Sequence, residues 1–263
     1  MTARVPLRFD TRTVDQLAIE DERSFRAIGL YADLKEVLRK ARYPFRMLPR
    51  SLAGRWDRAL LLNLTYWGAD AGGDVIVDAL DADVLLHAAW HHLANKALPS
   101  IDGVQTVEAL FLGEAIASAF DVYLVGRLLG SAPDAAFLAT QVPAMADAAM
   151  GAGTSEEEFE KLLAVMAESP ELAFEELRHL LYRATLALHA SKDAEAAMSA
   201  LEAFDGHRFA PLLHHYELSN WVLYARAYGS SEVDERARKI DHALSEAQAG
   251  ALDFLTKHWV DAA

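Results

Sequence analysis

The chain has 263 residues, 52% of them hydrophobic and 24% charged, with a net charge of -14 and no cysteine. That length carries one large domain or two small ones around a sizeable core. The acidity argues against general nucleic-acid binding and against attraction to anionic lipid. The missing thiol excludes disulfides, thiolate zinc sites, iron–sulfur clusters and cysteine nucleophiles.

The opening MTARVPLRFDTRTVDQ lacks the apolar core of a signal peptide, and no run reaches the ~18 uninterrupted apolar residues of a membrane span. A cytoplasmic protein with no membrane partner is the expectation. Charge is uneven: residues 1–58 hold 13 Lys/Arg against 8 Asp/Glu, and the other 205 hold 12 against 31. The basic part is expected to be ordinary solvated surface, or to pack on the acidic body or a protein partner.

In chain order, residues 1–15 are polar and extended. Residues 15–42 predict one or two amphipathic helices, stopped by the two prolines of YPFRMLP. The apolar run ALLLNLTYW at 59–67, the turn GADAGG and the β-branched DVIVD predict a small β-hairpin before residue 83. Helix signals dominate afterwards. Asp81 or Asp83 caps a helix over 83–98, and Pro99 lies beyond it. Thr106 starts another, ending near 129. Residues 133–150 are helical with an interruption at Pro143. Thr154 or Ser155 with Glu156, Glu157 and Glu158 starts the next, because carboxylates suit the positive helix end. Ser169 and Pro170 open a long helix to Ala190. Segments 192–204, 207–228 and 231–260 complete a mainly α fold of about eight helices. The best candidate boundary, GAGTS at 151–155, divides 1–150 from 151–263, with a single domain as the alternative.

Histidines at i and i+4 share a helix face. His87 and His91 do so, with Asp83 one turn earlier. Glu114 and Asp121, seven apart, share a face of the next helix. Two imidazoles and a carboxylate from two helices are the donor logic of a zinc site. Asp83 is expected to be a helix-start carboxylate, with orientation of His87 as the alternative. His92 points about 100° away from His91. Trp67, Trp90, Tyr66 and Tyr123 are expected in the core.

A strand DVIVD, a helix with His87-Ala-Ala-Trp-His91 and a helix GEAIASAFDVY containing Glu114 together resemble the core of the gluzincin, or thermolysin-like, metallopeptidases. The resemblance covers about 45 residues and implies His87, His91 and Glu114 as zinc ligands. The family reads H-E-x-x-H in the first helix and N-E-A-x-x-D in the second. Here Ala88 stands where the general-base glutamate belongs, Gly113 replaces the Asn, and Ser118 the Asp. A metal-binding protein without classical peptidase activity follows, since metal-bound water lacks its base. Glu108 is the candidate substitute base, and Ala88→Glu the change that would restore some hydrolysis.

The alternative is a helical non-haem iron oxidoreductase. Glu176-Leu-Arg-His179 is one E-x-x-H, a motif that di-iron bundles use twice, and Glu175 pairs with His179 at i, i+4. His214, His215 and Glu217 would complete it, or His214 and His215 would border a pocket with Tyr216 and Trp221. A non-enzymatic interaction protein is the third reading. No G-x-S-x-G or P-loop pattern occurs.

Overall fold

A computed structural model describes residues 9–52 and 75–263. Among the described residues, five short strands precede the main helices. β1 (Asp10–Arg12) runs antiparallel to β3 (Phe45–Met47), which pairs in parallel with β4 (Val75–Ile76). β2 (Ile19–Glu20) pairs in parallel with β5 (Leu80–Asp81). The DVIVD stretch therefore does supply a strand, β4, whose described partner is β3. The other half of the expected hairpin, 59–67, lies outside the described residues, as do Tyr66 and Trp67.

The protein is mainly α, 71% helical, with eleven α-helices among the described residues. α1 (Glu22–Phe25) and α2 (Gly29–Lys40) follow β2; α2 buries Tyr31, Leu34, Val37 and Leu38 along one face. The basic side chains here pair locally: Arg26 and Lys35 with Glu22, Arg39 with Glu36. Then come α3 (Ala82–Ala97), α4 (Val107–Ser131), α5 (Ala136–Gly151) and α6 (Glu156–Glu168). α7 (Pro170–Ala190), α8 (Ala194–Glu202), α9 (Leu218–Tyr228), α10 (Glu235–Ala247) and α11 (Ala251–Leu255) complete the order.

Local chemistry explains the ends. Thr106 Oγ1 accepts from the Ala109 amide at 3.1 Å and donates to Asp234 at 2.8 Å, so the cap of α4 also anchors α10. Ser155 and Glu158 form a reciprocal capping box on α6. α5 runs unbroken through Pro143, where an interruption was expected. Proline there forfeits one backbone bond, and packing of the helix holds it together.

α4 is buried almost all round, as an all-apolar core helix must be. It is long and apolar enough to cross a membrane by length and composition, and 89% of its most apolar window is buried inside the protein. α3, α6, α7, α9 and α10 surround it, and one continuous apolar core extends from Val14 to Val260. At Gly126 a Cβ would lie 2.1 Å from the Met166 carbonyl oxygen, so the absent side chain lets the end of α6 close on α4.

α3 and α4 run antiparallel, as their short connection requires. A Cβ at Gly113 would sit 3.3 Å from the Ala94 methyl. His91 faces Glu114, the His87 ring reaches the Ala117 backbone, and Asp121 lies in the field of Asp83. The register falls on α3 as it rises on α4. α9 follows α4 in antiparallel register too: Gly229 abuts Val107 and Leu110, Tyr224 lies in the field of Glu114, and Tyr216 in that of Asp121.

Candidate metal centre

This register brings the three sequence-derived donors together. His87 Nε2 and His91 Nε2 are 3.0 Å apart, and His91 Nε2 is 3.6 Å from a Glu114 carboxylate oxygen. One donor atom from each of the three residues lies within 4.8 Å of the others. Donors on a tetrahedral zinc with bonds of about 2.0–2.2 Å stand about 3.4 Å apart, so the two measured edges straddle the required one. Among the described residues this is the one group of three histidine or acid side chains so gathered.

The electrostatics suit a cation. Burial holds His87 down to about 4 and His91 well below the usual imidazole range, with the neighbouring His87 adding to the push on His91. Both rings are therefore neutral near pH 7, the ligating state. The His87 ring bonds the Ala117 backbone carbonyl, which opposes the shift but fixes the ring. With Nε2 turned to His91, the bond to Ala117 falls to Nδ1–H, leaving Nε2 as the donor atom for a metal. Side-chain exposure of 20% at His91 and 9% at Glu114 leaves an approach on that side.

Asp83 does not serve as the acceptor for His87. Its carboxylate meets the amides of its own residue and Val84, consistent with a helix-start role, and burial pushes it up to about 6. His92 turns aside and packs edge-on against Tyr43, ring centroids 5.5 Å apart. Trp90 and Tyr123 are core residues as expected. Ala88, at 1% exposure, is sealed in the core, so the position of the missing base does not face an open cleft. Glu108 is no substitute base: one oxygen accepts from the Asp234 amide and the other takes both Arg238 nitrogens. It braces α4 to α10.

The rival constellation does not assemble. Arg178, fully buried, grips Glu175 with two bonds of 2.5 and 2.7 Å and Asp241 with one of 2.6 Å. Glu176 pairs with Arg208 instead. His179 Nδ1 meets Ser245 Oγ at 3.1 Å and Asp241 at 3.7 Å. Serine and aspartate thus compete for one ring nitrogen, where a nucleophilic relay needs both. An iron site on Glu176, His179, His214, His215 and Glu217 is accordingly not formed among the described residues: Glu176 is held by Arg208, while Arg178 and His179 brace α7 to Asp241 and Ser245 of α10. His214, Tyr216 and Glu217 do line a cavity of about 800 Å³ between α7, α8 and α9. His215 instead stacks edge-on against Tyr216 and bonds the Ala144 backbone.

Sequence reasoning missed Tyr224, which lies in the field of Glu114, and named Tyr216 only as a pocket neighbour of His214 and His215, although it lies in the field of Asp121. No family model matches this chain, and neither a curated protein nor a solved structure matches it significantly.

Proposed function

We propose that the protein binds a divalent transition-metal ion through His87 Nε2, His91 Nε2 and a Glu114 carboxylate oxygen, with zinc the first candidate. The observation that carries this is the convergence of three donor atoms within 4.8 Å, two of them neutral imidazoles held in a buried setting. Three protein ligands leave a fourth position, the arrangement of reactive rather than purely structural zinc sites. A bound ion there would supply a Lewis acid that polarises an oxygen atom. The chain's own part is to hold two imidazoles unprotonated, orient His87 through Ala117, and add the one negative charge at Glu114.

A degenerate gluzincin-like centre without classical peptidase activity is the form of this reading that the helix order and spacing favour. The absence of a carboxylate at Ala88 separates it from a working peptidase. Ferrous iron is the second reading, because two histidines and one carboxylate are also the facial triad of non-haem iron proteins.

The test is metal analysis of the purified chain, followed by thermal melts with and without chelator for the parent and His91→Ala. The metal is expected at one equivalent, with the chelator lowering the parent's melt and leaving the variant nearly unchanged. Equal melts for a metal-containing parent with and without chelator would make the metal adventitious and end the proposal. Zinc or iron in the analysis separates the two readings.

A further inference from the structure

None of the three metal-site donors lines the cavity between α7, α8 and α9, and α8 is the least buried of its walls. Six of the nine residues of α8 are Ala, Met or Leu, yet none of the nine is buried. A helix this short is marginal in water and ordinarily owes its stability to an apolar face packed on the body. Ala194, Ala197 and Leu201 make such a face at helical spacing, and all three line the cavity. Leu218 and Val222, one turn apart on α9, line it too. Two apolar stripes of a kind that interlock when helices pack therefore border about 800 Å³ of space. Packed interiors keep few voids larger than a water molecule. Spaces of roughly 300–1,000 Å³ with apolar walls and a few polar groups are of ligand size.

The charges in the lining select the head of that ligand. Asp193 caps α8, its Oδ1 accepting from the Ala196 amide at 2.9 Å. Glu217 stands at the start of α9 and accepts from Asn220 Nδ2 at 2.6 Å. Both carboxylates thus sit at positive helix ends. Arg226 Nη2 donates to the carbonyls of Leu188, His189 and Ser191 at 3.2, 3.1 and 2.7 Å. Its charge therefore meets the negative end of α7. Lys192 lines the same cavity and has neither a hydrogen bond nor an ion pair among the described residues. Of the four Asp, Glu, Lys and Arg side chains in the lining, it alone has no counterpart, and it is a cation.

We propose that this cavity binds a medium-chain aliphatic carboxylate, with its tail between α8 and α9 and its head on the Lys192 ammonium. The tail buries the apolar face that α8 leaves open, which is the larger source of affinity. The ammonium supplies charge-assisted hydrogen bonds to the carboxylate, and as a flexible point charge it sets the sign of the head rather than its exact position. Binding completes the packing of α8, so the ligand stabilises the folded chain by mass action.

The experiment is isothermal titration of the full chain at pH 7 with octanoate, decanoate and dodecanoate, each below its micelle concentration. Decanol and decylamine serve as controls for the head, and melts are recorded in parallel. One saturable site is expected, with affinity rising about tenfold for each two methylenes added. Decanol and decylamine should bind about fivefold or more weakly than decanoate. Lys192→Glu changes an exposed position. It should fold as the parent does and reverse the order, taking decylamine in preference to decanoate. Ala197→Phe should fill the cavity from the α8 side, melt at or above the parent, and lose decanoate binding. His91→Ala should bind decanoate as the parent does, which separates this site from a carboxylate captured by the metal centre. No saturable binding of any of the three acids would overturn the proposal. So would decanoate affinity unchanged in Lys192→Glu, decanoate retained by a folded Ala197→Phe, or decanoate lost in His91→Ala. Should Ala197→Phe fail to fold, Lys192→Glu decides, since it leaves the apolar walls intact.

Discussion

Two glycines of α4 separate the packing of the fold from the tuning of the site, and each replaced by alanine should report on one alone. A Cβ at Gly126 would stand 2.1 Å from the Met166 carbonyl oxygen, 2.8 Å from its carbon and 2.9 Å from Pro170 Cβ. The obstructing atoms are backbone and cannot rotate aside, so the α6–α7 junction must retreat. Overpacking of this kind costs about 3 kcal/mol, and the helix propensity gained from glycine to alanine returns only about 1 kcal/mol. The net loss of about 2 kcal/mol should lower the melt by roughly 4–8 °C in a chain of this size. At Gly113 the neighbour is the Ala94 methyl at 3.3 Å, which must give by a few tenths of an ångström. Propensity then offsets most of the strain, and stability should change little. The movement falls beside Glu114 and one turn from His91, where ligand distances hold to about 0.2 Å, so zinc affinity should drop about tenfold. Melts of the metal-free variants and zinc titration against a competing chelator measure the two effects. A Gly126→Ala melt within about 2 °C of the parent would refute the close approach. Unchanged zinc affinity in Gly113→Ala would refute the claim that this helix spacing sets the site.

Acid should expose two opposing titrations in the metal-free protein. His87 sits at about 4 in the fold against 6.5 ordinarily, so its contribution is full above pH 6.5 and is lost as the pH falls to 4. Asp83 sits at about 6 against 3.8, so its contribution is full below pH 3.8 and is lost as the pH rises to 6, with Asp121 acting in the same sense. Denaturant melts at pH 6, 5 and 4 should therefore be nearly level for the parent. Asp121→Asn should lose stability relative to the parent as the pH falls over that interval, and a variant curve parallel to the parent's would sink the assignment. At Ala88, 1% exposed, a glutamate would bury an unpaired carboxylate at a cost of about 3–5 kcal/mol. Ala88→Glu should thus melt far below the parent and show no hydrolysis of casein with added zinc; a stable, active variant would restore the peptidase expectation.

What the sequence disclosed divides along the range of the forces involved. His87 and His91 share a face through helix geometry alone, and Thr106 and Ser155 cap their helices through bonds spanning three residues. Those features are legible locally. Glu114 entered through spacing in a second helix, and the short connection already implied an antiparallel pair. The role of Glu176-Leu-Arg-His179 was not legible, because Arg208 and the α10 residues Asp241 and Ser245 decide it from 32 to 67 positions away. Glu108 likewise looked free to act on a water until Asp234 and Arg238 occupied it, 126 and 130 positions later. Pro143 shows the converse, a local breaker overridden by packing. Tyr216 and Tyr224 needed the register of α9 on α4, which no short-range pattern encodes.

The placement of polar groups on α4 bears on function independently of any motif. A helix enclosed on nearly every side should carry apolar residues everywhere, because each desolvated polar atom counts against folding. Glu114, Ser118 and Asp121 break that rule along one stripe, at helical spacing. The stripe faces α3, where His91 meets Glu114, the His87 ring reaches the Ala117 backbone, and Asp83 acts electrostatically on Asp121. Close packing does not require this, since apolar side chains of similar volume would fill the gap at lower cost. The brace at Arg178 shows what a structural polar cluster looks like in this protein: guanidinium, carboxylates and hydroxyl satisfy one another. On the α3–α4 stripe His87, His91 and Glu114 instead bring one donor atom each within 4.8 Å of the others, the spacing a metal ion would hold.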